Sequence, residues 1–213
     1  MAKTKGARSS GHDEKRSALL RAFRERLIAP NLPPPSLREL VAAAGVSMPT
    51  VRHYFGRREE LITALLEDFG RQGAIYLERA RTSDLPFAES VTTLAQGIGI
   101  ALSAGLLEIH TLGLREGLCN DAVGASYLNH VLEPTILAIE DRFRLHQARG
   151  EMRPADTRVA ALGLLSPLVL AYLHQGELGG CKTRPLEMSA FLSAHCEAFI
   201  RGYARDPATA FGG

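Results

Sequence analysis

Residues 36–61, SLRELVAAAGVSMPTVRHYFGRREEL, decide the fold of this chain because they encode two short helices with a glycine between them. Ser36 and Glu39 have the spacing of a capping box, in which each side chain accepts a hydrogen bond from the other residue's backbone N–H. Gly45 ends the first helix, because glycine adopts the left-handed conformation after a helix at little cost. A second helix must then begin almost at once, so the stretch predicts a helix-turn-helix.

The second helix of this pair has an apolar side and a polar side. Ser47 is placed to cap its first turn, where Pro49 does little harm because the N–H that it lacks would have no helical partner. The apolar side consists of Val51, Tyr54 and Phe55 at helical spacing. The side chains left to point outward, near the end that reads bases in a helix-turn-helix, are Met48, Thr50, Arg52 and His53.

The same stretch resembles the signature of the TetR family, the one-component, ligand-responsive transcriptional regulators. The matching positions are Ser36, Leu37, Leu40 and Val41, then Ala44-Gly45-Val46-Ser47, then Thr50-Val51-Arg52-His53-Tyr54-Phe55, and finally Arg58 and Leu61. Three positions depart from the family pattern: Val41 replaces Ala, Arg52 replaces Tyr and Arg58 replaces Lys. Both arginines can contact a phosphate with a full charge. The resemblance covers the N-terminal quarter of the chain, and the remainder is similar only in length and helical character.

The resemblance implies a sequence-specific regulator that binds a pseudo-palindromic operator in double-stranded DNA. It also implies a repressor that leaves the operator when a small, largely apolar effector binds the C-terminal domain. The residues carried over as DNA contacts are Ser36, Ser47, Met48, Pro49, Thr50, Arg52, His53, Tyr54 and Arg58. An activator and a nucleoid-type DNA-binding protein stay open as alternatives within this interpretation.

Charge is distributed unevenly along the 213 residues of the chain. Residues 1–60 contain 12 lysines and arginines against 6 acidic residues, whereas residues 61–213 contain 13 against 17. A basic front suits DNA binding, because neutralising phosphates supplies most of the sequence-independent affinity for DNA. A basic face that is simply solvated is the alternative interpretation.

Composition indicates a soluble, cytoplasmic protein with a buried core, since 46% of the residues are hydrophobic and the polar N-terminal segment is unlike a signal peptide. No apolar run is expected to reach the roughly 18 residues needed to span a bilayer, so we expect no membrane partner. Three widely spaced cysteines fit neither a disulfide framework nor a zinc site, and we expect reduced thiols, no metal and no cofactor. These cysteines are Cys119, Cys181 and Cys196.

We expect an all-α fold in which an N-terminal three-helix DNA-binding domain precedes a C-terminal helical bundle. The predicted segments are a disordered basic arm (1–12), the helix-turn-helix domain (13–60), an effector-binding and dimerisation domain (61–205) and a disordered tail (206–213). The first helix spans about 13 to 28, and the proline-rich residues 29–35 break it where the family usually turns with a glycine.

The C-terminal domain is expected to be helical throughout most of its length. In order, we predict a helix that continues from residue 61 with Gly70 and Gly73 inside it, a helix over 86–104 capped by Ser83 or Asp84, a poorly regular segment to Asn120, and helices over 122–148, 157–175 and 186–204. Pro134 lies inside the predicted helix over 122–148 and should kink or split it.

The last two predicted helices carry more apolar surface than one small bundle hides, which predicts a homodimer that buries them in a four-helix interface. Such a dimer would place two DNA-binding domains on two half-sites of an operator. A monomer that keeps both helices internal is the alternative. The candidates for effector contact, which are polar or aromatic residues on otherwise apolar faces, are His110, Tyr127, His130, Phe143, Ser166 and His174.

Two other classes of protein compete with the regulator. A helical-bundle enzyme is disfavoured, because no catalytic or nucleotide-binding motif occurs and only one His-Glu pair, His130 and Glu133, has the spacing of metal ligands. A dimeric protein-binding adaptor with a basic N-terminal domain is the second alternative. Salt-dependent binding to one palindromic duplex would separate the regulator from the adaptor.

Overall fold

A computed structural model describes residues 5–27 and 35–205, with side chains from residue 11 onward. Over these residues the chain is all-α, as expected, and extended backbone pairs only in a single bridge between Met152 and Ala204. The helices are α1 (Lys5–Leu27), α2 (Leu37–Ala43), α3 (Met48–Phe55), α4 (Arg58–Arg81), α5 (Phe87–Ala101), α6 (Leu107–Gly117), α7 (Asp121–Tyr127), α8 (Glu133–Ala148), α9 (Thr157–Gln175), α10 (Gly180–Thr183) and α11 (Met188–Tyr203). Two π-helical turns, Leu102–Leu106 and Leu128–Leu132, join α5 to α6 and α7 to α8. We refer to α1, α2 and α3 together as the head.

Helix α1 begins at Lys5, which corrects the expectation that residues 1–12 form a disordered arm. That expectation rested on the missing apolar periodicity of this segment. The segment nevertheless continues α1 far enough to contact α3, since the ring centroid of His12 lies 4.7 Å from that of Tyr54. Residues 1–4, most of the proline-rich segment 29–35 and the predicted tail 206–213 lie outside the described residues.

The caps of α2 and α3 are those that the sequence predicts. The backbone N–H of Ser36 donates to Glu39 Oε2 at 2.7 Å, and the N–H of Glu39 donates to Ser36 Oγ at 3.3 Å. Gly45 follows α2 with φ 62°, and Ser47 Oγ accepts from the N–H of Thr50 at 3.3 Å. Local hydrogen bonds and a residue that tolerates positive φ therefore fix the turn between α2 and α3.

The segment between α5 and α7 differs from the prediction. Residues 107–117, expected to be poorly regular, form the helix α6. One glycine that suggested irregularity instead allows close packing, because a Cβ on Gly113 would lie 2.2 Å from the ring of Tyr127. The break in the helical path falls earlier, at Gly105, whose φ is 114°.

Prolines shape the starts of α5 and α8. Pro86 is the N-cap residue of α5 and provides no side-chain hydrogen bond, so the predicted cap by Ser83 or Asp84 is wrong. Pro134 lies in the first turn of α8, directly after the π-helical turn that separates α8 from α7. The predicted helix over 122–148 is therefore present and is interrupted by one π-helical turn just before the proline, in keeping with the N–H that proline lacks.

Helix α4 crosses this second π-helical turn at close range. A Cβ on Gly70 would lie only 2.3 Å from the carbonyl oxygen of His130, so the crossing leaves no room for a side chain. Gly73, three residues further along the same helix, would have nothing within 4 Å of an added Cβ. The two glycines that look alike in the sequence thus have different roles.

Two apolar clusters form the core. The first joins the head to α4, α6 and α7, and it includes Phe23, Phe55, Leu66, Ile109 and Val123. The second joins α5, α8, α9 and α11, and its centre includes Phe87, Phe143, Leu164 and Phe199. Because α4 runs from Arg58 to Arg81, both this helix and the first cluster extend across the predicted domain boundary at residue 60.

Arg142 of α8 clamps the C-terminal end of α4. Its guanidinium donates to the carbonyl oxygens of Arg79, Ala80 and Thr82 at 3.0, 2.6 and 2.7 Å. It also donates to Ser90 Oγ of α5 at 3.2 Å. The last carbonyls of a helix lack partners within the helix, so a cation at this position stabilises the end of α4.

Two helical stretches, Phe87–Gly117 and Thr157–Gln175, are long and apolar enough by length and composition to cross a membrane. This finding corrects the expectation that no stretch reaches that length. The first stretch is broken at Gly105, and the second buries Leu164 and Leu168 completely in the core. Both stretches pack against other helices of the bundle, with 44% and 39% of their most apolar windows buried.

Candidate nucleic-acid interface

Helix α3 is anchored in the head by its apolar side. Val51 and Phe55 are only 2% and 6% exposed, and the ring of Phe55 packs edge-on against Phe23 of α1 with centroids 5.8 Å apart. Arg52 and His53 are exposed on the other side of the helix. The helix therefore presents one polar surface to solvent while its position in the head is fixed.

The four residues expected to point outward divide into two pairs. Arg52 and His53 are exposed, as predicted. Met48 is half-buried against the core of the head, and Thr50 is half-buried with its Oγ1 2.9 Å from Ser47 Oγ. Among the other predicted DNA contacts, the exposed residues are Ser36, Ser47 and Pro49, and the half-buried ones are Tyr54 and Arg58.

An aromatic cluster lies beside this surface. The ring of His12 in α1 contacts both Tyr54 and His53, at centroid distances of 4.7 and 5.9 Å. His53 and Tyr54 also meet edge to face at 5.2 Å. Sequence reasoning missed His12, because a contact between residues so far apart in the chain leaves no local pattern.

Arg58, predicted as a phosphate contact, forms an ion pair with Glu116 at the C-terminal end of α6. The distance from its Nη2 to Glu116 Oε1 is 2.8 Å. Burial alone would raise the pKa of Glu116, but the hydrogen bonds and charges of Arg58 and Arg115 outweigh it and hold the pKa below the usual value. A contact between Arg58 and DNA would require this arginine to leave or share its carboxylate.

Other arginines near α3 differ in their availability. Arg24 of α1 pairs with the buried carboxylate of Asp68 at 3.1 Å. Arg38, Arg52 and Arg57 are exposed and make no ion pair with any residue that the structure describes. These three cations place unneutralised positive charge on α2, on α3 and on the turn before α4.

Two of the six effector candidates meet in the interior. Nδ1 of His110 lies 2.6 Å from the hydroxyl of Tyr127. Burial lowers the pKa of His110 to about 4 and raises the pKa of Tyr127 to about 12, so both side chains are neutral near pH 7. Because each satisfies the other, a ligand would have to break this hydrogen bond to use either one.

The other four candidates lie elsewhere. Phe143 is completely buried in the second apolar cluster, and His130 is half-buried in the π-helical turn beside α4. Ser166 and His174 are exposed on α9. The six residues predicted to contact an effector therefore do not line one common cavity.

A groove of about 780 Å³ lies between α5 and α11, with Tyr172 of α9 at its floor. None of the six effector candidates lines it. Its walls include Gln96 and Ile100 from α5 and Leu192 and Ser193 from α11. Sequence reasoning missed this groove because its walls come from helices that are distant in the chain.

Ser90, His146 and Glu151 form a chain of hydrogen bonds that is similar to a hydrolytic triad. Ser90 Oγ lies 2.8 Å from His146 Nε2, and His146 Nδ1 contacts Glu151 Oε2. However, Ser90 is completely buried, and Arg142 also donates to its hydroxyl. A substrate could not reach this oxygen, so the network serves to hold α5 against α8.

Helices α9 and α11 leave one side each uncovered. On α9, Val159 and Leu170 are 60% and 63% exposed, with the exposed Leu162 and Ser166 between them. On α11, the exposed side carries the small residues Ala194, Ala198 and Gly202 together with the ion pair of Glu197 and Arg201. An apolar face of this kind beside a face of small residues is suited to close helix packing.

The arrangement of helices is similar to that of several solved structures. A putative TetR-family transcriptional regulator from Mesorhizobium loti MAFF303099 superimposes with a TM-score of 0.66 at 19% identity, covering 95% of this chain and 100% of that one. Regulatory protein TetR from Rhodobacter sphaeroides gives 0.66 at 21% identity, covering 89% and 98%. SmeT, the repressor of the Stenotrophomonas maltophilia multidrug efflux pump SmeDEF, gives 0.60 at 18% identity, covering 95% and 94%.

These similarities concern the fold over almost the whole chain. No protein-family model matches the sequence, and no curated protein matches it significantly. The resemblance seen in residues 36–61 thus extends, in three dimensions, to the C-terminal helices, where the sequence alone was similar only in length and helical character.

Proposed function

We propose that this chain, which has the fold of the TetR-family regulators, is a ligand-responsive, sequence-specific DNA-binding transcriptional regulator. The observation that carries the proposal is the capped helix α3, which exposes Arg52 and His53 while Val51 and Phe55 anchor it in the head. A helix held in this way can enter the major groove, where arginine recognises base edges or phosphates.

The proposal includes a homodimer formed through α9 and α11. The exposed Val159 and Leu170 on α9, next to the small residues of α11, support it because a second copy would cover both sides at once. Two heads related by a twofold axis would bind two half-sites in successive major grooves. The operator should therefore be a pseudo-palindrome.

We further propose that the regulator is a cytoplasmic repressor released by a small, largely apolar effector. Repression is the mode we favour because one similar structure, SmeT, is described as a repressor. An effector would act by binding more tightly to a geometry in which the two heads no longer match the half-sites. Helix α4 is suited to transmit this change, since it begins beside α3 and ends at the Arg142 clamp.

Selection of bound fragments from sheared genomic DNA of the source organism tests the proposal. The purified full chain should enrich fragments that share one pseudo-palindrome, whose half-site centres lie about 10 base pairs apart or a multiple of that distance. The variant with both Arg52→Ala and His53→Ala should fold normally but lose this enrichment. Fragments without any common sequence, or no bound DNA at all, would overturn the proposal, and the second result is the one that a protein-binding adaptor gives.

A further inference from the structure

The groove between α5 and α11 has the volume of a site for a small molecule. Its volume of about 780 Å³ falls within the roughly 300–1,000 Å³ that small-ligand sites occupy. Apolar contact is available from Ile100, Met188 and Leu192. The groove is open at one side, so a ligand could enter it without unfolding either helix.

The polar groups of the groove are uncharged, and three of them have no hydrogen-bond partner among the described residues. No charged residue lines it among those that the structure describes. The hydroxyl of Tyr172, the amide of Gln96 and the hydroxyl of Ser193 make no hydrogen bond to any residue that the structure describes. Gly99 provides the space for the phenol, because a Cβ there would lie 2.7 Å from the Tyr172 hydroxyl.

We propose that this groove binds a neutral organic molecule with an apolar body and one or two hydrogen-bonding groups. The apolar walls would enclose the body, and Tyr172, Gln96 and Ser193 would bind its polar groups. An ionised ligand is disfavoured, because no opposite charge in the lining would offset the loss of its hydration. This inference rests on the proposed function in one respect, namely that the bound molecule is the effector of the regulator.

The groove is connected to the head through α6. Ser103 and Ala104 line it and directly precede Gly105, where the helical path breaks before α6. The other end of α6 carries Glu116, which holds Arg58 at the start of α4. A ligand that moves the Ser103–Gly105 turn would therefore shift a helix whose far end contacts the first turn of α4.

The interior pair of His110 and Tyr127 is less suited to this role. Their polar atoms satisfy each other at 2.6 Å, and both side chains are at least 95% buried. The groove, in contrast, offers polar groups without partners among the described residues. A ligand there would therefore displace water from exposed groups such as Gln96 and Ser193 rather than break a hydrogen bond between two side chains.

Titration of the full chain with Nile red, a neutral fluorescent dye with a polycyclic body and one carbonyl, tests the inference. We expect saturable binding of one dye per chain. Ser193→Trp should fill the groove and weaken binding at least tenfold, whereas Ala148→Trp, an exposed position on α8 outside the groove, should leave it unchanged. Tyr172→Phe should weaken binding roughly two- to tenfold through one lost hydrogen bond.

A second filling variant, Gln96→Trp, keeps the test decisive if Ser193→Trp does not fold. Equal dye affinity in Ala148→Trp and in a folded variant with tryptophan at Ser193 or Gln96 would overturn the inference. A charged, sulfonated analogue of the dye that binds as tightly as Nile red would also overturn it. DNA binding is measured separately on the same samples. A chain that binds the dye as expected but no DNA sequence contradicts the proposed function and leaves the groove as a site, whereas sequence-specific DNA binding without dye binding contradicts the groove alone.

Discussion

At the scale of one residue, Arg58 shows how a DNA phosphate and a carboxylate of the C-terminal helices can compete for the same guanidinium. Its guanidinium is bound by Glu116 at 2.8 Å, yet the resemblance gives this position a phosphate contact. We expect Glu116→Gln to release Arg58 and raise affinity for all duplexes by roughly two- to fivefold, the range of an ion pair that is partly exposed. Fluorescence anisotropy with a labelled duplex measures this change.

The matched control for this prediction is Glu67→Gln, which removes one exposed negative charge from α4 without touching Arg58. It should raise affinity less than Glu116→Gln does. In Arg58→Ala, adding Glu116→Gln should raise affinity no more than Glu67→Gln does, because a double-mutant cycle isolates the interaction between Arg58 and Glu116. A gain as large without Arg58 as with it would contradict the account.

His110 should make the stability of the protein depend on pH. Burial lowers its pKa from 6.5 to about 4 in the folded state, so between these pH values the unfolded chain binds a proton that the folded chain does not. The free energy of unfolding should therefore be undiminished above pH 6.5 and fall as the pH drops toward 4, by about 3 kcal/mol in total. Urea unfolding of the wild type and of His110→Gln, which does not titrate, measures this difference.

The matched control for the substitution itself is His174→Gln, which replaces an exposed histidine on α9 and leaves the buried pair of His110 and Tyr127 intact. Burial also lowers the pKa of His146, against an opposing effect of Glu151, so His110→Gln should reduce the pH dependence without abolishing it. Identical pH profiles for the wild type and His110→Gln would show that folding does not lower the pKa of His110, and would contradict the prediction.

Residues whose roles depend on near neighbours in the chain could be predicted from the sequence. The capping box of Ser36 and Glu39 and the positive φ of Gly45 are set within one helical turn, and both predictions are confirmed. The partner of Arg58 and the contact of His12 with Tyr54 join distant segments. Such pairs depend on how the helices pack, which no local pattern encodes.

At the scale of helices, the crossing of α4 over the second π-helical turn gives a sharp prediction. Gly70→Ala should destabilise the protein by about 2 kcal/mol or more, because its Cβ would lie 2.3 Å from the His130 carbonyl oxygen. Gly73→Ala meets nothing within 4 Å and should stabilise the helix by up to about 1 kcal/mol. Chemical unfolding of both variants gives the two values, and equal effects would contradict the close crossing.

Helices differed in how well the sequence predicted them. The interruption before Pro134 was predictable, since proline cannot donate to the preceding turn, but its form as a single π-helical turn was not. Helix α6 was not, because its glycines suggested irregular backbone although they serve close packing against α7. The start of α1 was also missed, since its first residues lack the apolar periodicity from which the sequence predicts helices.

At the scale of the whole molecule, the proposed dimer depends on the uncovered side of α9. Leu170→Asp should leave the fold of each chain intact, because the side chain is 63% exposed, but it should disrupt the pairing of two copies. We expect sedimentation to show mainly monomers at micromolar concentration and operator affinity to fall at least about tenfold. Ile75→Asp, a change at a 60% exposed position on α4, is the matched control and should leave both unchanged.

The all-α fold class was predictable for the whole molecule, because the helical periodicity of the chain and the family resemblance of residues 36–61 both predict it. The location of a ligand site was not. The six effector candidates were chosen as polar or aromatic residues on apolar faces, and such residues are as often satisfied in the core, as with His110 and Tyr127, or exposed, as with Ser166 and His174. The groove between α5 and α11 exists only after the helices have packed.

The central claim is that the exposed side of α3 docks in duplex DNA. Its most direct test compares the affinity of the wild type and of Arg52→Ala for a selected operator and for a scrambled duplex, at ~50 and ~200 mM salt. We predict that the wild type prefers the operator at least about a hundredfold and loses at least about tenfold in affinity at the higher salt, and that Arg52→Ala loses most of the preference. Equal affinity of the wild type for both duplexes, or affinity that does not change with salt, would contradict the account.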